Sequence, residues 1–249
     1  MESGEEEMER EHTVEPAVGT APLVGCQTDR GISGTYWARF DCYELREEDL
    51  RARPATLRRW ARSAAEHAGR FILRLPDQLV EEVLSGHNPE ALWAPICEQI
   101  EALAPAQLLL RTRAQLRPSE ENITALRRLL ADRPVELPFA WMAEGLWEPE
   151  GIRDLAEELS LTPVVDPLRW DEAEDGPLLT GPDGRFYWRL VGQRGFGVRF
   201  TDYELDRLSL LAESQTGSGL VVFAAPQLRR DAQRWRRMVR DELGAPARV

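Results

Sequence analysis

Short apolar runs recur along the chain, and between them lie longer stretches whose apolar positions fall three and four residues apart. Runs of that length read as strands and that spacing reads as amphipathic helices. The strand-like runs cover residues 23–26, 40–45, 71–75, 107–111, 135–140, 162–166, 186–190 and 220–223. Most are apolar almost throughout, without a polar alternation, as expected of parallel strands covered on both faces. Between them a helix is predicted over 54–69, with Leu57, Trp60, Ala61, Ala64 and Ala65 on one face and Gly69 as the stop signal. Another over 89–103 turns Leu92, Trp93, Ile96, Ile100 and Leu103 inward. Pro118 and Ser119 open a third, Pro149 opens a fourth, and Thr201 with Glu204 forms a capping box for a fifth. A last helix spans 226–243.

Eight strands alternating with helices predict an α/β fold, a single (β/α)8 TIM-type barrel, with a doubly wound sheet as the alternative. Only about a dozen residues separate the first two strands, too few for a full crossover helix. The first βα unit is therefore expected to be shortened, with its helix near residues 35–39. The strand at 135–140 is interrupted by Pro138, and the acidic, Gly/Pro-rich stretch 167–184 is the one long loop. Residues 1–21 are expected to be an acidic, disordered tail and 22–249 the barrel domain.

Charged residues near the ends of such strands have one inexpensive direction, toward the barrel mouth, because helices cover the outside and packed side chains fill the inside. Glu44, Arg74, Arg111, Asp166 and Arg189 are therefore predicted to converge there. Three guanidinium groups suit a small anionic ligand, phosphate or carboxylate, with Glu44 and Asp166 as candidate acid and base. In the simpler reading the five pair with one another and plug the mouth. Gly192 and Gln193 open a glycine-rich loop through Gly197 after the seventh strand, where barrels often hold phosphate on backbone N–H groups; the simpler reading is a flexible loop.

Composition narrows the chemistry. The 31 Lys+Arg residues are all arginine, which excludes Schiff-base lysines and a Walker-type phosphate lysine. His12, His67 and His87 have no metal-ligand spacing, so no metal site and no cofactor is expected. Cys26, Cys42 and Cys97 are odd in number and widely spaced, which fits a reducing compartment. The start of the chain has the wrong charge for a secretory signal, and a cytoplasmic protein without membrane spans is expected. Residues 1–15 carry seven Glu and one Arg, half of the net charge of −12. The last helix bears Arg229, Arg230, Arg234, Arg236, Arg237 and Arg240. That stripe offers a nucleic-acid surface, against the simpler reading of a solvated face paired with the acidic tail.

The order of motifs resembles the YecE-like family, domain of unknown function seventy-two, over residues 22–243. The resemblance rests on Val24-Gly25, Phe40 through Glu44, Thr56 with Arg59-Trp60-Ala61, Phe71 through Pro76, Trp147, Asp166, Tyr187-x-Arg189-x-x-Gly192, Tyr203-x-Leu205 and Val222-Phe223. It implies a barrel and leaves the reaction open. It also implies specific losses: Val191 stands where the family has a histidine, and Ala224-Ala225 where it has two asparagines. Trp141 and Ala143 replace a Glu-x-Arg, Arg111 a glutamine and Arg74 a lysine. Glu44, Asp166 and Arg189 remain as family-type site residues. The expectation is a divergent barrel acting as a binding or interaction protein, with an enzyme or binder of small anions as one alternative and nucleic-acid binding as another.

Overall fold

Side chains on a strand alternate between two sides, and the two hydrophobic clusters of this protein divide along that alternation. The computed structural model describes residues 21–28, 32–87, 90–192 and 199–244. In it β1 (Leu23–Cys26), β2 (Cys42–Leu45), β3 (Arg70–Arg74), β4 (Gln107–Thr112), β5 (Phe139–Ala143), β6 (Leu161–Val165), β7 (Phe186–Leu190) and β8 (Gly219–Phe223) run parallel. They close into a barrel in chain order, with β8 pairing back to β1. Cys42, Ile72, Leu109, Ala140, Tyr187 and Val222 form one cluster drawn from strands all round the ring, which only the barrel interior allows. Their strand neighbours, among them Tyr43, Phe71, Leu108, Trp141, Trp188 and Phe223, belong to the larger cluster under the helices.

That parity decides where the charges go. Glu44, Arg74, Arg111 and Arg189 each stand two residues beyond an inner-cluster residue, Cys42, Ile72, Leu109 and Tyr187 in turn. Asp166 stands two beyond Val164 and Glu144 two beyond Met142, both of which pack on the inner cluster. All six side chains therefore leave the strands on the interior side, at the carboxyl end of the barrel.

The helices are α1 (Gly34–Trp37), α2 (Pro54–Ala65), α3 (Asp77–Leu84), α4 (Glu90–Leu103), α5 (Glu120–Ala131), α6 (Pro149–Leu159), α7 (Glu172–Asp175), α8 (Asp202–Glu213) and α9 (Arg229–Leu243). α1 is the expected truncated helix, and it carries Tyr36 to the seam between β1 and β2. Buried Tyr36 places its hydroxyl 2.7 Å from the Cys42 carbonyl and 3.0 Å from that of Cys26, and it accepts from Cys26 N at 3.1 Å. It stitches β1 to β2, where Gly25 opposite Cys42 is the paired position. A Cβ on Gly25 would lie 2.6 Å from the Cys42 carbonyl oxygen, so the close approach requires glycine.

Three expectations change. The strand expected at 135–140 lies instead at Phe139–Ala143, because Pro138 has no N–H to give the ladder and serves it only as an acceptor, from Leu108 N at 2.9 Å. The helix expected over 54–69 ends at Ala65; Ala68 turns to φ +55, and Gly69 passes so close to Trp37 that a Cβ would sit 2.5 Å from its ring. The third is α3, an eight-residue helix inside a stretch that carries no predicted element.

At the opposite end of the barrel α9 is fastened by charge. Asp41, just before β2, accepts from Arg236 Nε and Nη2 at 2.9 and 2.8 Å, from Arg240 Nη2 at 2.6 Å, and from Val24 N at 3.2 Å. Arg234 pairs with Asp202, so three arginines of the C-terminal stripe are engaged within the barrel. The acidic tail through Thr20 lies outside the described residues. Among the described residues no helix is long and apolar enough to cross a membrane.

Candidate functional site

Glu44, with its side chain 1% exposed, is the centre of the first group at the mouth. Its carboxylate accepts from Arg189 Nε at 3.0 and 3.2 Å and from the Tyr187 hydroxyl at 2.7 Å. Gln27 Nε2 donates to the Glu44 carbonyl at 2.9 Å and reaches Oε1 at 3.5 Å. β7 supplies both the arginine and the tyrosine because positions 187 and 189 share the inward face. Burial, followed by the adjacent Glu44 charge, raises the Tyr187 pKa well above its usual value, so the phenol remains a donor. Burial alone would lower the pKa of Arg189; the Glu44 carboxylate outweighs it and raises the net value. A buried pair of this kind holds when each lone pair has its donor.

The second group turns on Asp77, the first residue of α3. It accepts from Arg74 Nη2 at 3.0 and 3.2 Å, from Arg111 Nη1 at 3.3 Å and from Arg113 Nε at 2.9 Å. Arg111 also forks onto Glu144, Nε to Oε1 at 2.7 Å and Nη2 to Oε2 at 2.8 Å, a bidentate pairing. Arg113 extends the chain to Glu81 at 2.9 Å. Burial pushes the Asp77 pKa up, but its arginine partners prevail and hold it below the usual carboxylate value. The Glu144 hydrogen bond raises the Arg111 pKa, while the charge of Arg189 works against it, so the two groups feel one another.

Asp166 stands in a third group. It accepts from Leu168 N at 3.2 Å and from Val191 N, and Arg169 lies 3.5 Å away. Burial raises its pKa despite these donors. Gly192, at φ +82, gives its carbonyl to Arg169 Nη2 at 3.1 Å. Gln193 and the rest of the glycine-rich loop through residue 198 lie outside the described residues.

The two carboxylates named as candidate acid and base thus have different partners, Glu44 on Arg189 and Asp166 on Arg169. Arg74 and Arg111 meet on one aspartate. The carboxylates that receive them, Asp77 and Glu144, are not among the sequence-predicted site residues. Asp77 had a signal, three residues beyond Arg74 and just after Pro76, where an acidic residue opening a helix is favoured. Glu144 had none while the fifth strand was set too early.

Beside the Glu44 group lies a pocket of about 320 Å³ lined by Gln27, Glu44, Arg46, Arg74, Arg189 and Ala224. A second, about 390 Å³, lies beyond Arg111 against Asp77, Arg113 and Asn122. The mouth has carboxylates and guanidinium groups to offer. The thiol of Cys26 is pushed up to about 12 by burial, and that of Cys42 well above the usual value. His67 caps its own helix through Ser63 O at 2.9 Å, and His87 sits by Glu82 at 3.1 Å on the surface. Among the described residues no cluster of His, Cys, Asp and Glu is placed to hold a metal ion.

Comparison with solved structures places this architecture. A DUF72 family protein from Enterococcus faecalis superimposes with a TM-score of 0.64 at 16% identity, covering 91% of this chain and 98% of that one. One from Thermotoga maritima gives 0.64 at 17%, over 87% of this chain and 99% of that one. A D-psicose 3-epimerase from Clostridium cellulolyticum, crystallised with D-tagatose, gives 0.56 at 10%, over 88% and 95%. No protein-family model matches the sequence, and no curated protein matches it significantly. The protein is a closed (β/α)8 barrel whose fold is shared with DUF72 family proteins and, more distantly, with a sugar epimerase.

Proposed function

We propose that this chain is a divergent, cytoplasmic YecE-like barrel that acts as a binding or interaction protein and does not turn over a substrate at its mouth. The observation that carries this reading is the engagement of the charged side chains: Glu44 is buried under Arg189 and Tyr187, and Arg111 is forked onto Glu144. A general acid or base needs an oxygen free to reach the proton that it moves, directly or through one water. Although Glu44 borders the pocket, both of its carboxylate oxygens are already engaged by Arg189 and the Tyr187 hydroxyl. Val191 and Ala224 at the ends of β7 and β8 add no polar side chain. The anionic clamp drawn from Arg74, Arg111 and Arg189 is weakened as a reading by the same pairs.

The test is incubation of the full chain with ketohexoses, suggested by the fold-sharing epimerase, and with p-nitrophenyl phosphate and p-nitrophenyl glycosides. No conversion above that of a Glu44→Gln variant is expected. Turnover by the wild type that is lost in Glu44→Gln would overturn the reading.

A further inference from the structure

We propose that the pocket lined by Gln27, Glu44, Arg46, Arg74, Arg189 and Ala224 takes a small neutral polyhydroxyl ligand of the monosaccharide or alditol class, an inference that rests on reading the mouth as a binding surface. Charge is the first reason. Three arginines line this pocket, and so do three glutamates, Glu44, Glu47 and Glu48. Each arginine already has its carboxylate: Arg189 has Glu44, Arg74 has Asp77, and Arg46 has Asp49 and Glu48. An anion entering here gains no net positive field and must compete with carboxylates already in place. What remains is a wall of hydrogen-bond donors and acceptors whose three positive and three negative lining charges cancel. A hydroxyl both donates and accepts, so a polyol matches such a wall and a carboxylate or phosphate does not.

Two polar atoms of the wall supply the second reason. Gln27 is 5% exposed, and its Nε2 is committed to Glu44, which leaves Oε1 as a buried acceptor without a partner. Arg74 Nε is a buried donor without a partner. Both atoms are covered in this structure, so a ligand meets them through a rotation of the Gln27 amide or the Arg74 side chain. Such a rotation brings one unpartnered acceptor and one unpartnered donor to the wall, and hydroxyl groups satisfy both. The volume of about 320 Å³ lies at the small end of ligand pockets, the size for a single sugar ring or its open chain.

The experiment is calorimetric titration of the full chain with D-glucose, D-fructose, sorbitol and myo-inositol, and separately with inorganic phosphate, malonate and glycine betaine. Calorimetry is preferred because polyols stabilise proteins nonspecifically in melting experiments. Saturable binding of at least one neutral compound is expected, little changed between about 50 and about 500 mM sodium chloride. Gln27→Ala should weaken it about tenfold or more, and Ala224→Phe, which fills the pocket and leaves the ion pairs in place, should abolish it. Binding of phosphate, malonate or betaine with none of the neutral compounds overturns the inference, as does no binding by any of them. Polyol binding untouched by Ala224→Phe overturns it too. Chromatography of the titrated compound separates the two claims: conversion of a bound polyol contradicts the non-catalytic reading and leaves the ligand class, whereas phosphate bound without conversion contradicts the ligand class and the commitment of the arginines and leaves only the absence of turnover.

Discussion

Arg189 on β7 sets its Nε 3.0 Å from Glu44 on β2, and Tyr187, one inward position earlier on the same strand, adds its hydroxyl at 2.7 Å. The pair links β7 to β2 past β8 and β1 and borders the mouth pocket of about 320 Å³. Removing the fully buried carboxylate leaves the largely buried Arg189 guanidinium without its counter-charge, so Glu44→Ala should destabilise the protein by about 3–5 kcal/mol in urea unfolding. Adding Arg189→Met to it should return part of that loss in a double-mutant cycle. A loss from Glu44→Ala of under about 1 kcal/mol, the range of exposed pairs, would contradict the placement.

A second ion pair acts at the far end of the barrel. Asp41, 9% exposed in its side chain, holds Arg236 and Arg240 of α9. Asp41→Ala should cost about 3–5 kcal/mol, because two arginines then lose their shared carboxylate. Asp202→Ala, which breaks the solvent-exposed pair with Arg234, should change the unfolding midpoint far less.

Two aspartates should respond to pH with opposite sign. The folded pKa of Asp77 is held below its ordinary 3.8, so its contribution is present above 3.8 and lost as pH falls through the lowered value. Asp77→Asn should therefore be less stable than wild type at neutral pH, with the gap closing in acid. The folded pKa of Asp166 is raised above 3.8 by burial, so its contribution is complete below 3.8 and lost as pH rises through the raised value. Asp166→Asn should match wild type in acid and be the more stable of the two at neutral pH. Unfolding curves taken across the acid range check both signs.

Glycines at two sites should behave oppositely. A Cβ at Gly219, which opens β8, would lie 2.0 Å from the Phe186 ring, so Gly219→Ala should destabilise by about 1–3 kcal/mol or more. Gly151 in α6 has nothing within 4 Å of its Cβ position, and Gly151→Ala should stabilise by about 0.4–1 kcal/mol. Thermal unfolding of the two variants decides it.

The barrel was legible because β7, β8 and their neighbours are continuous apolar runs bounded by helix signals, and that pattern depends on local residues alone. The inward direction of Glu44, Arg74, Arg111 and Arg189 was legible because a charge near a strand end has one inexpensive exit, toward the mouth, and strand parity in the structure agrees with it. Their partners were not. Asp77 lies on α3, whose eight residues make too short a periodic segment to stand out, and Glu144 depended on where Pro138 let the fifth strand begin. Which carboxylate an arginine chooses is a matter of tertiary distance, and no spacing in the chain encodes the meeting of positions 111 and 144.

Thermal unfolding of wild type and Glu144→Ala in increasing inorganic phosphate tests most directly whether the arginines at the mouth are already committed. The wild-type midpoint should show no saturable rise, while Glu144→Ala, which releases the Arg111 fork, should gain a phosphate-dependent rise. A saturable rise in the wild type, equal to or larger than that of the variant, would show a free anion clamp and contradict arginines committed to their own carboxylates.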